Sequence, residues 1–359
     1  MKYLRVIFIN LAFFFAGLFL IEFFMGGWVF GQNFGTLVIP KNFTRHYDVS
    51  ELYGGSSSEY KRDKHGLRGS YEDVSKIDIL TIGGSTTNEI FISEGMTWND
   101  QLAIIFHESG RDLVIVNAGV DGQSTIGHLK NFDLWFPKIP SLKARYILAY
   151  IGINDYGVIV TGYHSKQDDM EASRRKVKRY LLNNSVLYTL FRNLRGILRA
   201  KKANLIHSSN SFDGTDWHLP EQQPSLDETV KRLGPSLDEY KDRVNKLIKA
   251  IRDFGAKPII VTQHLGAYRI RDGNVWGKLR EDGTVDISSY AGLSAISVAT
   301  MATCKKAGAI CIDLANELFF VDGDHYDYVH TTPTGSKKIS QYLYKKLEKL
   351  FNKSERSPK

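Results

Sequence analysis

The chain has 359 residues, of which 43% are hydrophobic, 24% charged and 12% aromatic. This composition supports a large buried core and excludes a disordered or fibrous protein. The net charge of +8 is too small to identify a partner, and two cysteines exclude a disulfide-rich scaffold or a four-cysteine zinc module.

The first thirty residues are far more apolar than the rest of the chain. Residues 6–30 contain only Asn10 and Glu22 as charged or amide side chains. A helix rises about 1.5 Å per residue, so this run exceeds a bilayer core of about 30 Å. Basic residues precede it, which predicts a transmembrane signal anchor over residues 1–30 with a cytoplasmic N-terminus. The remainder is then extracytoplasmic, which means periplasmic if the cell is Gram-negative. A cleaved signal peptide is the alternative, and it exports the domain as well.

Beyond the anchor, residues 31–75 contain few long apolar runs, which predicts a partly structured stalk. From residue 76 to 352, short β-rich apolar runs alternate with helical patterns, and residues 353–359 form a tail. The alternation is typical of a parallel sheet covered on both faces. Predicted strands are 77–82, 113–117, 146–151, 258–262 and 310–314, and predicted helices are 98–109, 125–136, 237–254, 290–306 and 334–351.

An insertion interrupts this alternation at residues 156–235, between the third strand and the helix that leads to the fourth. Its segment 174–202 holds ten basic residues and no acidic one, with apolar residues at helical spacing. We predict an inserted helical cap with one basic face. The sequence leaves open whether that face is only solvated or contacts a membrane or a glycan.

The two cysteines are close in sequence. Cys304 is predicted late in a helix, and Cys311 in the strand that follows. An exported domain lies in an oxidising compartment, where disulfides persist. A bridge between them and two separate buried thiols both remain open.

Small or polar residues follow every predicted strand. In an open parallel sheet, ligands bind at the carboxyl ends of the strands, where the following loops converge. In strand order the residues are Ser85, Gly119, Asn154, Gln263 with His264, and Asp327 with His330. We expect them to meet at one edge of the sheet, with Gln263 and His264 contacting substrate. A core position for His264 stays open.

These residue types suit acyl transfer. A serine needs an adjacent base to become nucleophilic. His330 supplies that base, and Asp327, three residues earlier, holds its tautomer and stabilises the imidazolium. The backbone N–H groups of Ser85 and Gly119 and the amide of Asn154 are predicted to form the oxyanion hole.

The order of these residues resembles the SGNH hydrolases, the GDSL-like lipase and esterase superfamily, over residues 77–351 apart from the insertion. Ser85, Gly119, Asn154 and His330 match its four blocks. The resemblance implies a flavodoxin-like three-layer α/β/α domain with a five-stranded parallel sheet, and ester hydrolysis or acyl transfer without metal or cofactor. The first block has Gly-Gly-Ser where Gly-Asp-Ser is usual, which leaves the hydrogen bonding around the nucleophile open. Residues 66–69 look like those of membrane-anchored bacterial members associated with surface polysaccharides.

Other chemistries fit the sequence less well. An acid and histidine cluster at residues 322–330 lacks the spacing of metal ligands. The lipase elbow Gly-x-Ser-x-Gly is absent, which argues against the α/β-hydrolase fold. Phosphate-loop and nucleic-acid motifs are also absent, so we expect no nucleic-acid partner.

We therefore expect an exported, membrane-anchored serine esterase that removes O-acyl groups, O-acetyl in the first instance, from a glycan. An O-acyltransferase that modifies a surface polysaccharide would use the same triad, with a sugar hydroxyl in place of water. A non-catalytic glycan-binding or assembly protein is the third alternative. The sequence does not decide between water and sugar, because that choice depends on how the pocket is shielded.

Overall fold

The computed structural model describes residues 2–30, 39–160 and 214–351, together with residue 212 and the residues 180–181, 184–188, 190–191 and 194–195. The chain divides into two compact units. One comprises residues 39–165 and 208–359, and the other comprises residues 1–38 and 166–207.

The first unit is built on a parallel sheet. Strands in the described residues are β1 Phe43–Tyr47, β2 Ser58–Arg62, β3 Ile77–Gly83, β4 Ile115–Asn117, β5 Ala144–Ile151, β6 Trp217–His218, β7 Lys257–Thr262, β8 Tyr268–Arg271, β9 Asn274–Leu279, β10 Val285–Asp286 and β11 Ile310–Ile312. Five of these strands pair in parallel in the order β11-β7-β5-β3-β4. The central strands β3, β5 and β7 are buried along nearly their whole length, as expected for strands covered on both faces. The predicted five-stranded parallel sheet is confirmed.

Helices cover the sheet in two groups. The longer ones span Trp98–Glu108, Thr125–Leu134, Ile153–Val160, Leu226–Asp253, Ser288–Lys306 and Pro333–Leu347, and short helices span Ser50–Tyr53, Ser85–Asn88 and Leu314–Glu317. Trp98–Glu108 packs against Pro333–Leu347, whereas Leu226–Asp253 packs against both Thr125–Leu134 and Ser288–Lys306. From β3 the chain first goes to one neighbour, β4, and then crosses to the other, β5. Because such crossovers are right-handed, the two groups lie on opposite faces and form the predicted three layers.

One helix is much longer than predicted. It begins at Leu226 rather than at residue 237, and Pro235 lies inside it. Ser225 caps its first turn by accepting a hydrogen bond from the Glu228 N–H. The buried stripe that continues through Tyr240 packs against the domain and outweighs the local cost of the proline.

Residues 39–75 belong to the folded domain and not to a stalk. Strands β1 and β2 form an antiparallel hairpin. Arg62 and Arg68 are 4% and 2% exposed, and their guanidinium groups donate to backbone carbonyls of Gly119 and Asn88. The sequence did not reveal this, because a buried arginine is recognisable only from the carbonyls that surround it. Residues 31–38 of the predicted stalk lie outside the described residues.

A second, antiparallel sheet was not predicted. It runs in the order β10-β9-β6, and β8 also pairs with β9. Because β6 belongs to it, residues 214–235 are part of the main domain, and the insertion is narrower than 156–235. Most of the basic segment 174–202 lies outside the described residues.

The other unit contains the apolar N-terminus. A helix spans Lys2–Met25, and its stretch Arg5–Met25, with a mean hydropathy of 2.3, is long and apolar enough to cross a membrane. A short helix Gly27–Phe30 follows. The carboxylate of Glu22 accepts hydrogen bonds from Trp28 Nε1 at 2.8 Å and from the Leu187 N–H at 3.0 Å. The acid in this apolar run is therefore hydrogen-bonded within its own unit.

A disulfide joins Cys304 and Cys311, whose Cα atoms are 5.9 Å apart. It connects the end of helix Ser288–Lys306 to β11. Of the two alternatives that the sequence left open, the structure therefore contains the bridge.

Candidate active site

Ser85 lies at the carboxyl edge of the sheet, at the end of strand β3. The strand ends at Gly83, and Ser85 begins the four-residue helix that follows. The N–H of Ser85 has no hydrogen-bond acceptor among the described residues. A Cβ on Gly84 would lie 2.1 Å from Asn154 Nδ2, so a side chain at this position would displace the Asn154 amide. The glycine before the serine therefore leaves room for Asn154 beside the serine turn.

The histidine and the aspartate come from the segment after β11. His330 Nε2 lies 2.8 Å from Ser85 Oγ, and His330 Nδ1 lies 2.7 Å from Asp327 Oδ2. The N–H groups of Val329 and His330 donate to Asp327 Oδ1. The ring of Tyr326 stacks on the imidazole at 5.6 Å between centroids. The imidazole is therefore held between the serine and the carboxylate.

The aspartate remains ionised in this setting. Burial raises the pKa of Asp327, but the hydrogen bond and the charge of His330 outweigh burial and bring the pKa below its ordinary value. An ionised carboxylate accepts a hydrogen bond from the His330 Nδ1–H, which keeps the proton on that nitrogen. The lone pair of Nε2 then faces the hydroxyl of Ser85, which is the arrangement that general-base activation requires.

Asn154 lies beside the serine turn. Its Nδ2 donates to the Gln123 carbonyl at 2.9 Å, and its second amide hydrogen has no acceptor in the described part of the chain. Asp155, the next residue, is 1% exposed and accepts hydrogen bonds from the N–H and the hydroxyl of Thr125. These contacts attach the Asn154 loop to the neighbouring helix Thr125–Leu134. Sequence reasoning overlooked Asp155, although the Asn-Asp pair was visible.

The geometry does not support Gly119 as an oxyanion donor. Gly119 is buried, and its N–H donates to Asn117 Oδ1 at 2.8 Å. Gly122 lies three residues further along the same loop, is exposed and has a φ of 72°. Its N–H has no acceptor within the described ranges. The carbonyl of Gln123, the next residue, accepts the amide of Asn154, so this part of the loop lies beside Asn154.

Gln263 and His264 are buried, and this corrects the expectation that they contact substrate. Gln263 is 3% exposed, accepts from the Ile153 N–H and donates to Thr86 Oγ1, both at 2.8 Å. It therefore connects the Asn154 loop to the serine helix. His264 is 4% exposed and packs against Tyr268, and burial lowers its pKa to about 3.

The acid and histidine cluster after β11 is divided among separate contacts. Asp322 pairs with Arg269 at 2.9 Å, and Asp324 pairs with Lys338 at 2.8 Å. His325 is buried, and burial holds its pKa well below the ordinary value. In the parts of the chain that the structure describes, no three acidic, histidine or cysteine side chains are arranged to hold a metal ion.

No protein-family model and no curated protein matches the chain. Among solved structures, a catalytic mutant of an acetylxylan esterase from Geobacillus stearothermophilus is 10% identical, with a TM-score of 0.43 and coverage of 76% of this chain and 96% of that one. An esterase from Pseudoalteromonas sp. is 13% identical, with a TM-score of 0.39 and coverage of 77% and 98%. A GDSL-like lipase from Bacteroides thetaiotaomicron is 11% identical, with a TM-score of 0.38 and coverage of 79% and 93%. At such values the similarity carries no conclusion about substrate. The chain itself has the α/β/α architecture and the serine, histidine and aspartate contacts that its resemblance to SGNH hydrolases implies.

Proposed function

We propose that this protein is a serine esterase that acts through an acyl-serine intermediate. The observation that carries the proposal is the unbroken chain of contacts from Asp327 through His330 to Ser85, at 2.7 and 2.8 Å. The three residues come from two loops at one edge of the sheet. Asp327 and His330 follow Ser85 by 242 and 245 residues in the sequence. A hydrogen-bonded base next to a serine at a helix start suits nucleophilic attack on an ester carbonyl.

The reaction proceeds in two halves. Ser85 Oγ bonds to the acyl carbon as His330 Nε2 takes its proton, and the carbonyl oxygen becomes an oxyanion. When the tetrahedral intermediate collapses, the ester bond breaks and Nε2 returns the proton to the leaving alcohol. Water then attacks the acyl-serine with the same histidine as base, which releases the acid and restores the serine. Asp327 remains ionised and stabilises the imidazolium in both halves.

We propose that the oxyanion hole consists of the Ser85 N–H, the second amide hydrogen of Asn154 and the Gly122 N–H. Each of these donors is partly or fully exposed and lacks an acceptor in the described residues. Fixed donors of this kind stabilise charge that develops in the transition state without reorganisation.

The proposed substrate is an O-acyl, first of all O-acetyl, ester of a glycan outside the cytoplasm. Export is supported by the apolar helix Lys2–Met25 and by the disulfide, which persists in an oxidising compartment. The proposal of a glycan rests on the sequence resemblance around residues 66–69. The apolar helix is the proposed membrane anchor.

The detergent-solubilised full chain should be incubated with an aryl acetate and with acetylated polysaccharide, with and without an acceptor sugar. We expect acetate release from both substrates and labelling of Ser85 by a fluorophosphonate. Transfer of acetyl to the acceptor, without release of acetate, would identify the acyltransferase instead. If neither activity nor labelling occurred, the chain would be a binding or assembly protein.

A reporter fused after Lys359 tests the compartment separately. We expect the reporter to be active only outside the cytoplasm. Cytoplasmic activity would contradict the proposed anchor orientation.

A further inference from the structure

A buried glutamate follows the serine helix directly. Glu89 is 5% exposed and adopts a left-handed backbone conformation, with a φ of 50°. Its N–H donates to the Ser85 carbonyl at 2.7 Å. Through its backbone, Glu89 is therefore fixed to the residue that carries the nucleophile.

The carboxylate of Glu89 reaches the segment that carries the base. Its Oε1 accepts from Thr331 Oγ1 at 3.1 Å and from Ser336 Oγ at 2.5 Å, and its Oε2 accepts from the Trp98 N–H at 2.8 Å. Thr331 is the residue directly after His330. One side chain thus connects the serine helix to the histidine segment.

Burying this carboxyl group is unfavourable because the group loses its hydration. The hydrogen bonds that its two oxygens accept therefore point to a role for the group. Burial raises the pKa of Glu89 to about 7, although Ser336, Trp98 and the charge of Arg68 act in the opposite direction. An apolar side chain would fill a buried site without this desolvation cost. What an apolar residue cannot do is accept hydrogen bonds from two separate segments and fix their spacing.

We propose that Glu89 is a positioning residue that sets the distance between Ser85 Oγ and His330 Nε2. The inference rests on the proposed serine mechanism. The serine and the histidine follow different strands, β3 and β11, which lie on opposite sides of β5 and β7 in the sheet. Their reaction depends on sub-ångström placement, because a displacement of about 1 Å can cost about 100-fold in rate.

The test uses Glu89→Gln, with Glu317→Gln as the matched control. Glutamine keeps the shape but has one acceptor oxygen instead of two, so the Trp98 N–H and the two hydroxyls compete for it. We expect kcat to fall by about 10- to 100-fold with little change in KM, because an interaction that acts only on the reacting geometry is lost. Fluorophosphonate labelling of Ser85 should slow by the same factor. Glu317 lies on the surface and accepts from the Tyr342 hydroxyl at 3.1 Å, apart from the contacts of Glu89, so Glu317→Gln should keep both rates.

A second variant and a spectroscopic measurement separate positioning from folding. Thr331→Val removes one donor without changing charge, and we expect a smaller loss of kcat, about fivefold, in folded protein. The downfield proton resonance of the His330 Nδ1–H should move or broaden in Glu89→Gln and in Thr331→Val, but not in Glu317→Gln. Wild-type kcat, labelling rate and resonance in Thr331→Val and Glu89→Gln would overturn the proposal. Failure of the wild type to be labelled would contradict the serine mechanism, and the resonance would then decide the role of Glu89 alone.

Discussion

Apart from Asp327, which holds His330 from behind, the residues predicted at this edge of the sheet form an outer and an inner set. The outer set, Ser85, Asn154 and His330, is partly exposed, and each member retains a group directed toward the proposed reaction. The inner set, Gly119, Gln263 and His264, is buried. Position after a strand therefore brings a residue to the edge, but its hydrogen-bond partners and burial decide whether it can act on a substrate.

The largest expected effect on kcat comes from replacing Ser85 or His330 of the outer set. Ser85→Ala and His330→Ala should each lower kcat by about 10⁴-fold or more, and the double variant should lose little more, because the two residues act as a unit. Measurement of kcat and of fluorophosphonate labelling checks this. His107→Ala is the control: His107 also contacts an aspartate, Asp112, at 2.5 Å, but that pair is exposed on the surface. Full activity in Ser85→Ala would contradict the mechanism.

The amide of the outer set should come next. Asn154→Ala removes one fixed donor to the oxyanion and should lower kcat by about 100-fold or more with the fold intact. Asn316→Ala, which removes an exposed amide that donates to Asp313, should leave kcat unchanged. Steady-state kinetics on an aryl acetate compares the two variants. Unchanged kinetics in Asn154→Ala would show that Asn154 does not donate to the oxyanion and belongs with the inner set.

Gln263 tests whether an inner residue acts only through its neighbours. Gln263→Met removes the acceptor of the Ile153 N–H and the donor to Thr86, and should lower the free energy of unfolding by about 1–3 kcal/mol. We expect kcat to fall by about tenfold, since both connected loops carry reacting groups. Urea unfolding and kinetics measure the two effects, and Gln101→Met, which loses an exposed hydrogen bond, is the control. A rise in KM at constant kcat would instead indicate substrate contact.

His264 should have the smallest effect on activity but a clear effect on acid stability. Its pKa is about 3 in the fold and about 6.5 in the unfolded chain, so below pH 6.5 the unfolded state binds more protons. The stability that depends on neutral His264 is therefore fully present above pH 6.5 and is lost as the pH falls toward 3. At pH 5 the loss is roughly 2 kcal/mol for this one residue.

His264→Phe removes this proton uptake. We expect the difference in the free energy of unfolding between pH 7 and pH 5 to shrink by roughly 2 kcal/mol, and kcat at pH 7.5 to change little. Urea unfolding of the solubilised chain at both pH values measures the difference. An unchanged pH dependence would show that His264 is not buried in its neutral form.

The amino-acid sequence by itself determined the parallel sheet and the residues at its edge. Alternating strand and helix patterns are local, and so is the three-residue spacing from Asp327 to His330, which lets the carboxylate hold both the imidazole and its backbone N–H. Ser85 was identifiable because it directly follows a strand and two glycines. The long apolar run at the N-terminus was equally visible, since it needs no partner to be recognised.

The tertiary structure decided everything that depends on a contact between distant segments. Gly84 leaves room for Asn154, which follows another strand. Residues 39–75 join the domain because buried arginines donate to carbonyls farther along the chain. The contacts of Glu89 belong to the same class. Whether a polar group faces solvent or a buried partner depends on the packing of the whole domain, and local sequence patterns do not contain that information.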